Sequence, residues 1–259
     1  MSILDELAAH ARERVLADSE NMSLDILQAM CREKGRANGA RFYDALKKDD
    51  LSFICEVKRA SPSKGLISPD FPYLDIARKY ESIGASAISV LTEPKHFRGE
   101  DRFLEEIADT VDVPVLRKDF IIDEYQIHRA REIGASAVLL IASVLSDRQL
   151  GDYRELAESL GMSALVEAHT ADEVERAVSS GAGIIGVNNR DLATFDVDLG
   201  NSLRLRERIP EGIVCVSESG ISGAEDVRLL RDAGFDAVLV GEAFMRSPDR
   251  RALMEAMRS

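Results

Sequence analysis

The sequence predicts an α/β fold, a (βα)8 TIM barrel with an N-terminal helical extension. Eight short β-branched or aliphatic runs follow one another from Phe53 to Val240, and segments with apolar residues at helical spacing separate them. Four of those helical segments run through a glycine into the next apolar run. Regular alternation of this kind selects a parallel sheet, and eight units in about 200 residues match the size of a closed barrel. A doubly wound open sheet is the alternative, but no GxGxxG follows the first run, which removes its commonest cofactor-binding version.

Taken in order, residues 3–17 place Ile3, Leu4, Leu7, Ala8, Ala11, Val15 and Leu16 at helical spacing, with Arg12, Glu13 and Arg14 on the other side. A second helix is expected over Leu24–Lys34, with Ser23 as its N-cap. Both precede the first strand and are expected to plug one end of the barrel. Residues 1–50 would then be the helical extension of a single barrel domain spanning 1–259.

Strands are expected at Phe53–Lys58, Ala87–Leu91, Val113–Lys118, Ala137–Ile141, Ala164–Glu167, Ile184–Asn188, Ile213–Ser217 and Ala237–Val240. The helices between them include Tyr73–Ile83, Glu124–Ile133, Asp147–Leu160, Ala171–Ser179 and Ala224–Asp232. Gly84, Gly134, Gly183 and Gly234 are read as left-handed caps where a helix turns back onto the sheet. Their recurrence at roughly 50-residue intervals, two βα units, hints at an internal repeat.

Composition narrows the function classes. A net charge of -13 argues against nucleic acid or an anionic membrane as partner, so an anionic substrate needs a local positive site. Cys31, Cys55 and Cys215 stand far apart without CxxC spacing and read as reduced core residues of a cytoplasmic protein. No apolar run reaches the roughly 20 residues that span a bilayer. His10, His96, His128 and His169 show no metal-ligand spacing, so no metal is expected, and His169 reads as a loop or helix-start residue.

Barrels place reacting groups where strands end, which turns the strand list into a list of candidates. In FICEVKRASPSKG, Phe53, Cys55 and Val57 share one face while Ile54, Glu56 and Lys58 share the other. A charge facing the interior must find a partner, water or a charged ligand. An internal salt bridge between Glu56 and Lys58 is one outcome; a site is the other. Lys118 shares its face with Leu116, while Arg117 points towards the helices. Glu167 shares the face of Leu165, Asn188 that of Gly186, and Glu218 that of Val216. Six polar side chains converging on one rim favour a catalytic site over isolated structural charges.

The last two strands end in Ser219-Gly220 and Gly241-Glu242, each leading into a helix. Backbone N–H groups there, with glycine permitting close approach, suit a phosphate, and Ser61, Ser63 and Lys64 of the first loop can add donors.

Six ordered blocks carry a more specific signal. They are EVKRASPSKG (56–65), SVLTEPKHFRG (89–99), PVLRKDFIID (114–123), LVEAHT (165–170), GVNNRDLATF (186–195) and VSESGI (216–221). Together they resemble indole-3-glycerol phosphate synthase. The resemblance implies a cofactor-free lyase of tryptophan biosynthesis that acts on a small phosphorylated substrate, as a monomer or weak homo-oligomer. Residue by residue, it assigns catalysis to Glu56, Lys58, Lys118, Glu167, Asn188 and Glu218. Substrate contacts fall to Ser61, Phe97, Phe120, Arg190, Leu192 and Ser219, and the phosphate to Ser61, Gly220, Gly241 and Glu242. Glu100, Ala60 and Glu242 depart from the residues common in that family. A Schiff-base aldolase of the same fold and a non-catalytic phosphometabolite-binding protein are the rival functions. On the synthase reading, Lys58 beside Lys118 is expected to lower the Lys118 pKa and so make it a better acid.

Overall fold

The computed structural model describes residues 3–34, 40–191 and 194–259. Three helices, α1 (Ile3–Asn21), α2 (Leu24–Glu33) and α3 (Ala40–Leu46), precede β1 (Ser52–Val57). A short antiparallel pair, β2 (Ala60–Ser61) and β3 (Gly65–Leu66), rises from the first loop. Seven further strands follow: β4 (Ala87–Leu91), β5 (Val115–Lys118), β6 (Ala137–Ile141), β7 (Ser163–Ala168), β8 (Ile184–Asn188), β9 (Val214–Glu218) and β10 (Ala237–Val240). With β1 they form a closed barrel whose neighbours are parallel, β10 pairing back onto β1. Helices α4 (Tyr73–Ser82), α5 (Asp101–Ala108), α6 (Glu124–Glu132), α7 (Asp147–Ser159), α8 (Ala171–Ser179), α9 (Gly200–Arg206), α10 (Ala224–Asp232), α11 (Glu242–Arg246) and α12 (Arg250–Arg258) follow in chain order.

Every residue of β1, β4, β6, β8, β9 and β10 is buried, as a parallel sheet covered by helices and filled within requires. Alternation divides each strand between two cores. Phe53, Cys55 and Val57 join the layer between strands and helices, while Ile54, Leu116, Leu165, Val216 and Leu239 fill the barrel. The register opposes Glu167 to Gly186 and Asn188 to Glu218, so these polar strand ends lie within one inward-facing step of each other.

Two expectations need correction. The left-handed cap of α8 falls at Gly181 (φ 80°), not Gly183, because the helix stops at Ser179 with Ser180 as its cap. The other three proposed caps do adopt positive φ: Gly84 90°, Gly134 91° and Gly234 82°. The extension, moreover, does not plug one end as a unit. Phe42 and Leu46 of α3, a helix with no counterpart in the sequence reading, pack fully buried against the barrel interior. Ile3, Leu4 and Leu7 of α1 instead line the cavity at the carboxyl end, and α2 packs along α6. Strand β5 starts at Val115, past Pro114, which has no N–H to give to a ladder.

Candidate active site

The carboxyl ends of the strands open into a cavity of about 1030 Å³. Glu56, Lys58, Lys118, Glu167, Asn188 and Glu218 all line it, each from the strand end where alternation puts it. Ser61, Phe97, Phe120, Arg190, Ser219, Gly220, Gly241 and Glu242 line it too, whereas Leu192 lies outside the described residues. One side is apolar: the Phe97 and Phe120 rings stand 6.3 Å apart and tilted by 36°, beside the α1 residues. The other side is ionic.

Two lysines, each ion-paired, organise the ionic side. Lys58 Nζ lies 2.6 Å from Glu56 Oε1. Lys118 Nζ donates to Glu167 Oε2 at 2.9 Å and stands 3.4 Å from Glu218 Oε2. Burial by itself would lower the Lys118 pKa, but the carboxylates of Glu167, Glu218 and Glu56 outweigh it and hold the amine above its ordinary value. The expected lowering by Lys58 is therefore overturned, because Lys58 is matched by its own carboxylate while three carboxylates face Lys118. Lys118 is thereby held as an ammonium.

The two carboxyl groups around Lys118 are driven apart. Burial pushes Glu167 upward, yet Lys118, then His169 and hydrogen bonds from Lys118 and Asn188, overcome it and hold the group below the usual carboxylate range. Glu218 is also buried, but there Lys118 is insufficient against desolvation and the Glu167 and Glu56 charges, so its pKa is raised. Neither Glu218 oxygen has a hydrogen-bond partner among the described residues. Adjacent groups shifted in opposite directions are what acid–base chemistry at neutral pH requires.

The glycines fit these charges closely. A Cβ at Gly241 would stand 2.5 Å from Glu56 Oε1 and 3.1 Å from Lys58 Nζ, so this glycine makes room for the ion pair as well as for any ligand. Gly220 (φ 83°) follows Ser219, itself at φ 67°, in a left-handed turn ahead of α10. Asp226 accepts from the Ser222 and Gly223 N–H groups at the start of α10. Glu242 faces Lys64 at 3.7 Å and Arg246 at 3.1 Å.

Sequence reasoning missed several supporting residues. Asn189 donates to Ser217 Oγ and to the Ser219 carbonyl, each at 3.0 Å, and accepts from Ser202 N–H at 2.9 Å, bracing the left-handed turn. Asp119 is buried between Arg14 (2.7 Å), Arg117 (3.2 Å) and Thr92, whose hydroxyl donates at 2.7 Å. Glu93, wholly buried, accepts from the N–H groups of Lys95, His96 and Phe97 and meets His10 of α1 at 3.0 Å. This shapes the loop that presents Phe97. His169, read from sequence as a loop or helix-start residue, stands just before the α8 N-cap with its Nε2 3.4 Å from Glu167 Oε1. The signal available was the charged run Arg117-Lys118-Asp119, whose outward members had to find partners on the helix side.

The chain is similar to proteins of one family along almost its whole length. The profile of the indole-3-glycerol phosphate synthase family matches residues 4–257. The chain is 50% identical over 256 residues to the indole-3-glycerol phosphate synthase of Ruminiclostridium cellulolyticum, covering 99% of this chain and 98% of that one. It is 51% identical over 256 residues to that of Lacticaseibacillus paracasei, with the same coverage. The relative from Endomicrobium trichonymphae is 51% identical over 245 residues, 95% of each chain. Among solved structures, 3-hexulose-6-phosphate synthase superposes with a TM-score of 0.65 at 16% identity, covering 80% of this chain and 98% of that one, a likeness of fold alone. With a family match across nearly its whole length and relatives at half identity, the chain belongs to the indole-3-glycerol phosphate synthase family.

Proposed function

We propose that the chain closes the indole ring of 1-(2-carboxyphenylamino)-1-deoxyribulose 5-phosphate, releasing CO2 and water. The observation that carries this reading is the Lys118 ammonium, held between an ionised Glu167 and an upward-shifted Glu218 where the apolar and ionic halves of the cavity meet. The anthranilate ring suits the Phe97–Phe120 side, and the phosphate suits the turn at Ser219-Gly220 with Ser61, Gly241 and the nearby Lys64. The ketone then falls between them, within reach of Lys118.

As the ring carbon bearing the carboxylate bonds to the ketone carbon, Lys118 delivers a proton to the ketone oxygen. The carboxylate leaves as CO2 and its bonding electrons restore the aromatic ring. The hydroxyl then departs as water with a second proton, for which Lys58 is placed, while Glu167 takes the C–H proton lost as the new ring becomes aromatic. Two protons are given and one is taken, matching the one proton consumed when a carboxylate leaves as CO2. Glu56 orients Lys58, and Asn188 and Arg190 frame the site from the β8 end.

A Schiff-base aldolase needs its lysine neutral, which the carboxylates around Lys118 oppose. The reading makes residues 1–50 an extension of one catalytic unit and places the protein in the cytoplasm, supported by three free, buried cysteines. Incubation with the anthranilate-derived substrate tests it: indole absorbance should rise with the wild type. No indole from wild type, or undiminished indole from Lys118→Ala, refutes it.

A further inference from the structure

Glu167 has two oxygens, and the reaction as described uses a partner for only one of them. Oε2 accepts from Lys118 at 2.9 Å. Oε1 is 3.4 Å from Nε2 of His169, a residue to which the scheme above gives no part. The imidazole is largely buried, its side chain 12% exposed, and Nε2 has no hydrogen-bond partner among the described residues. A histidine present only to start a helix would have its buried polar atoms satisfied.

The other side of the ring is held firmly. Glu173, in the first turn of α8, meets Nδ1 at 3.2 Å and accepts from the His169 backbone N–H at 2.7 Å. Asn201 donates to the His169 carbonyl at 3.1 Å and to the Asn188 carbonyl at 3.2 Å, tying this loop to the end of β8. The imidazole therefore has little freedom to turn away from Glu167.

We infer that His169, held by Glu173, is a positioning residue for Glu167 that fixes its Oε1 side as Lys118 fixes its Oε2 side. The inference rests on the reading of Glu167 as the base. The charged groups facing the imidazole are Glu167 on β7, Glu173 on α8 and Glu218 on β9, with the Lys118 ammonium on the far side of Glu167. Burial opposes its protonation, but the Glu173 hydrogen bond and the carboxylates prevail, so the ring carries its proton more readily than a free histidine. A cation there keeps Glu167 ionised until the proton of the forming ring is presented. Without it only Lys118 and the Asn188 hydrogen bond oppose burial, and Glu167 gains a proton at higher pH.

The test is the pH profile of kcat/KM for His169→Asn and Glu173→Gln. His169→Asn should move the acid limb upward, by about one pH unit for the loss of one neighbouring charge, and both variants should lower kcat by about tenfold with KM little changed. Glu173→Gln keeps an acceptor for the backbone N–H and so covers the case in which His169→Asn does not fold. An unmoved acid limb and normal kcat in the folded variants, with Glu167→Gln inactive, would overturn the role of His169 while leaving Glu167 as base. Full turnover in Glu167→Gln would remove the base assignment and this inference together.

Discussion

Glu218 sits over Gly186: a Cβ on that glycine would stand 2.1 Å from Glu218 Oε1 and 3.2 Å from Leu165 Cδ1. The β8–β9 register opposes Asn188 to Glu218, one inward-facing step above Gly186, so the carboxyl group folds down into the space that the missing side chain leaves. Gly186→Ala should therefore push Glu218 against Lys118. Overpacking of this kind costs about 1–3 kcal/mol, to be read from urea denaturation, and turnover should drop with it. Wild-type turnover in the alanine variant would show that the Glu218 position is immaterial.

Lys118 has both a chemical and an electrostatic part. Lys118→Met should cut turnover by about 100- to 10,000-fold, the range for a general acid. It also strands Glu167 and Glu218, both buried, without their cation. Buried carboxyl groups without a cation have folded pKa values above the unfolded ones, so the variant should be most stable at low pH and lose stability as pH rises. Melting temperatures at pH 5 and pH 8 check this; parallel losses at both would contradict it.

In the wild type the same sign applies to Glu218 alone. Its folded pKa is raised by burial and by the Glu167 charge, so the folded state holds the proton more tightly than the unfolded chain. Its contribution is fully present below the unfolded value and is lost as pH rises through the folded one. Glu218→Gln removes this loss, and its melting temperature should gain on the wild type between pH 5 and pH 9. A constant difference across that range would mean that Glu218 does not titrate in the folded protein.

Asp119 shows the opposite sign. Burial raises its pKa, but Arg14 and Arg117 prevail and hold it below the usual range. Its stabilisation is present above the unfolded value and is lost as pH falls through the folded one. Asp119→Ala leaves Arg14, on α1, facing a cavity wall without its anion, and should cost about 3–5 kcal/mol at neutral pH. The deficit should shrink in acid. Urea titrations at pH 7 and pH 3 measure both, and a deficit that grows in acid would refute the pairing.

Gly241→Val separates two readings of that glycine. The added side chain meets Glu56 and Lys58 before it meets solvent, so kcat should fall along with a rise in KM for the phosphorylated substrate. A rise in KM alone would confine Gly241 to the phosphate.

The barrel, the strand faces and the set of polar groups on one rim are legible in the sequence, because two-residue alternation and helical spacing are local properties of the chain. Thus Ile54, Glu56 and Lys58 could be set apart from Phe53, Cys55 and Val57 before any contact was known, and the six strand-end groups converge as that pattern requires. How those groups act on one another depends on contacts made in the folded chain. Arg14 and Asp119 are 105 residues apart, Lys118 and Glu167 are 49 apart, and α3 reaches the amino-terminal mouth by a path that periodicity does not encode. Whether Lys118 faces a second cation or three carboxylates depends on how the closed barrel sets distances of a few ångströms across its centre. Electrostatic energy varies steeply at that range in a dry interior, so the direction of a pKa shift belongs to the folded chain.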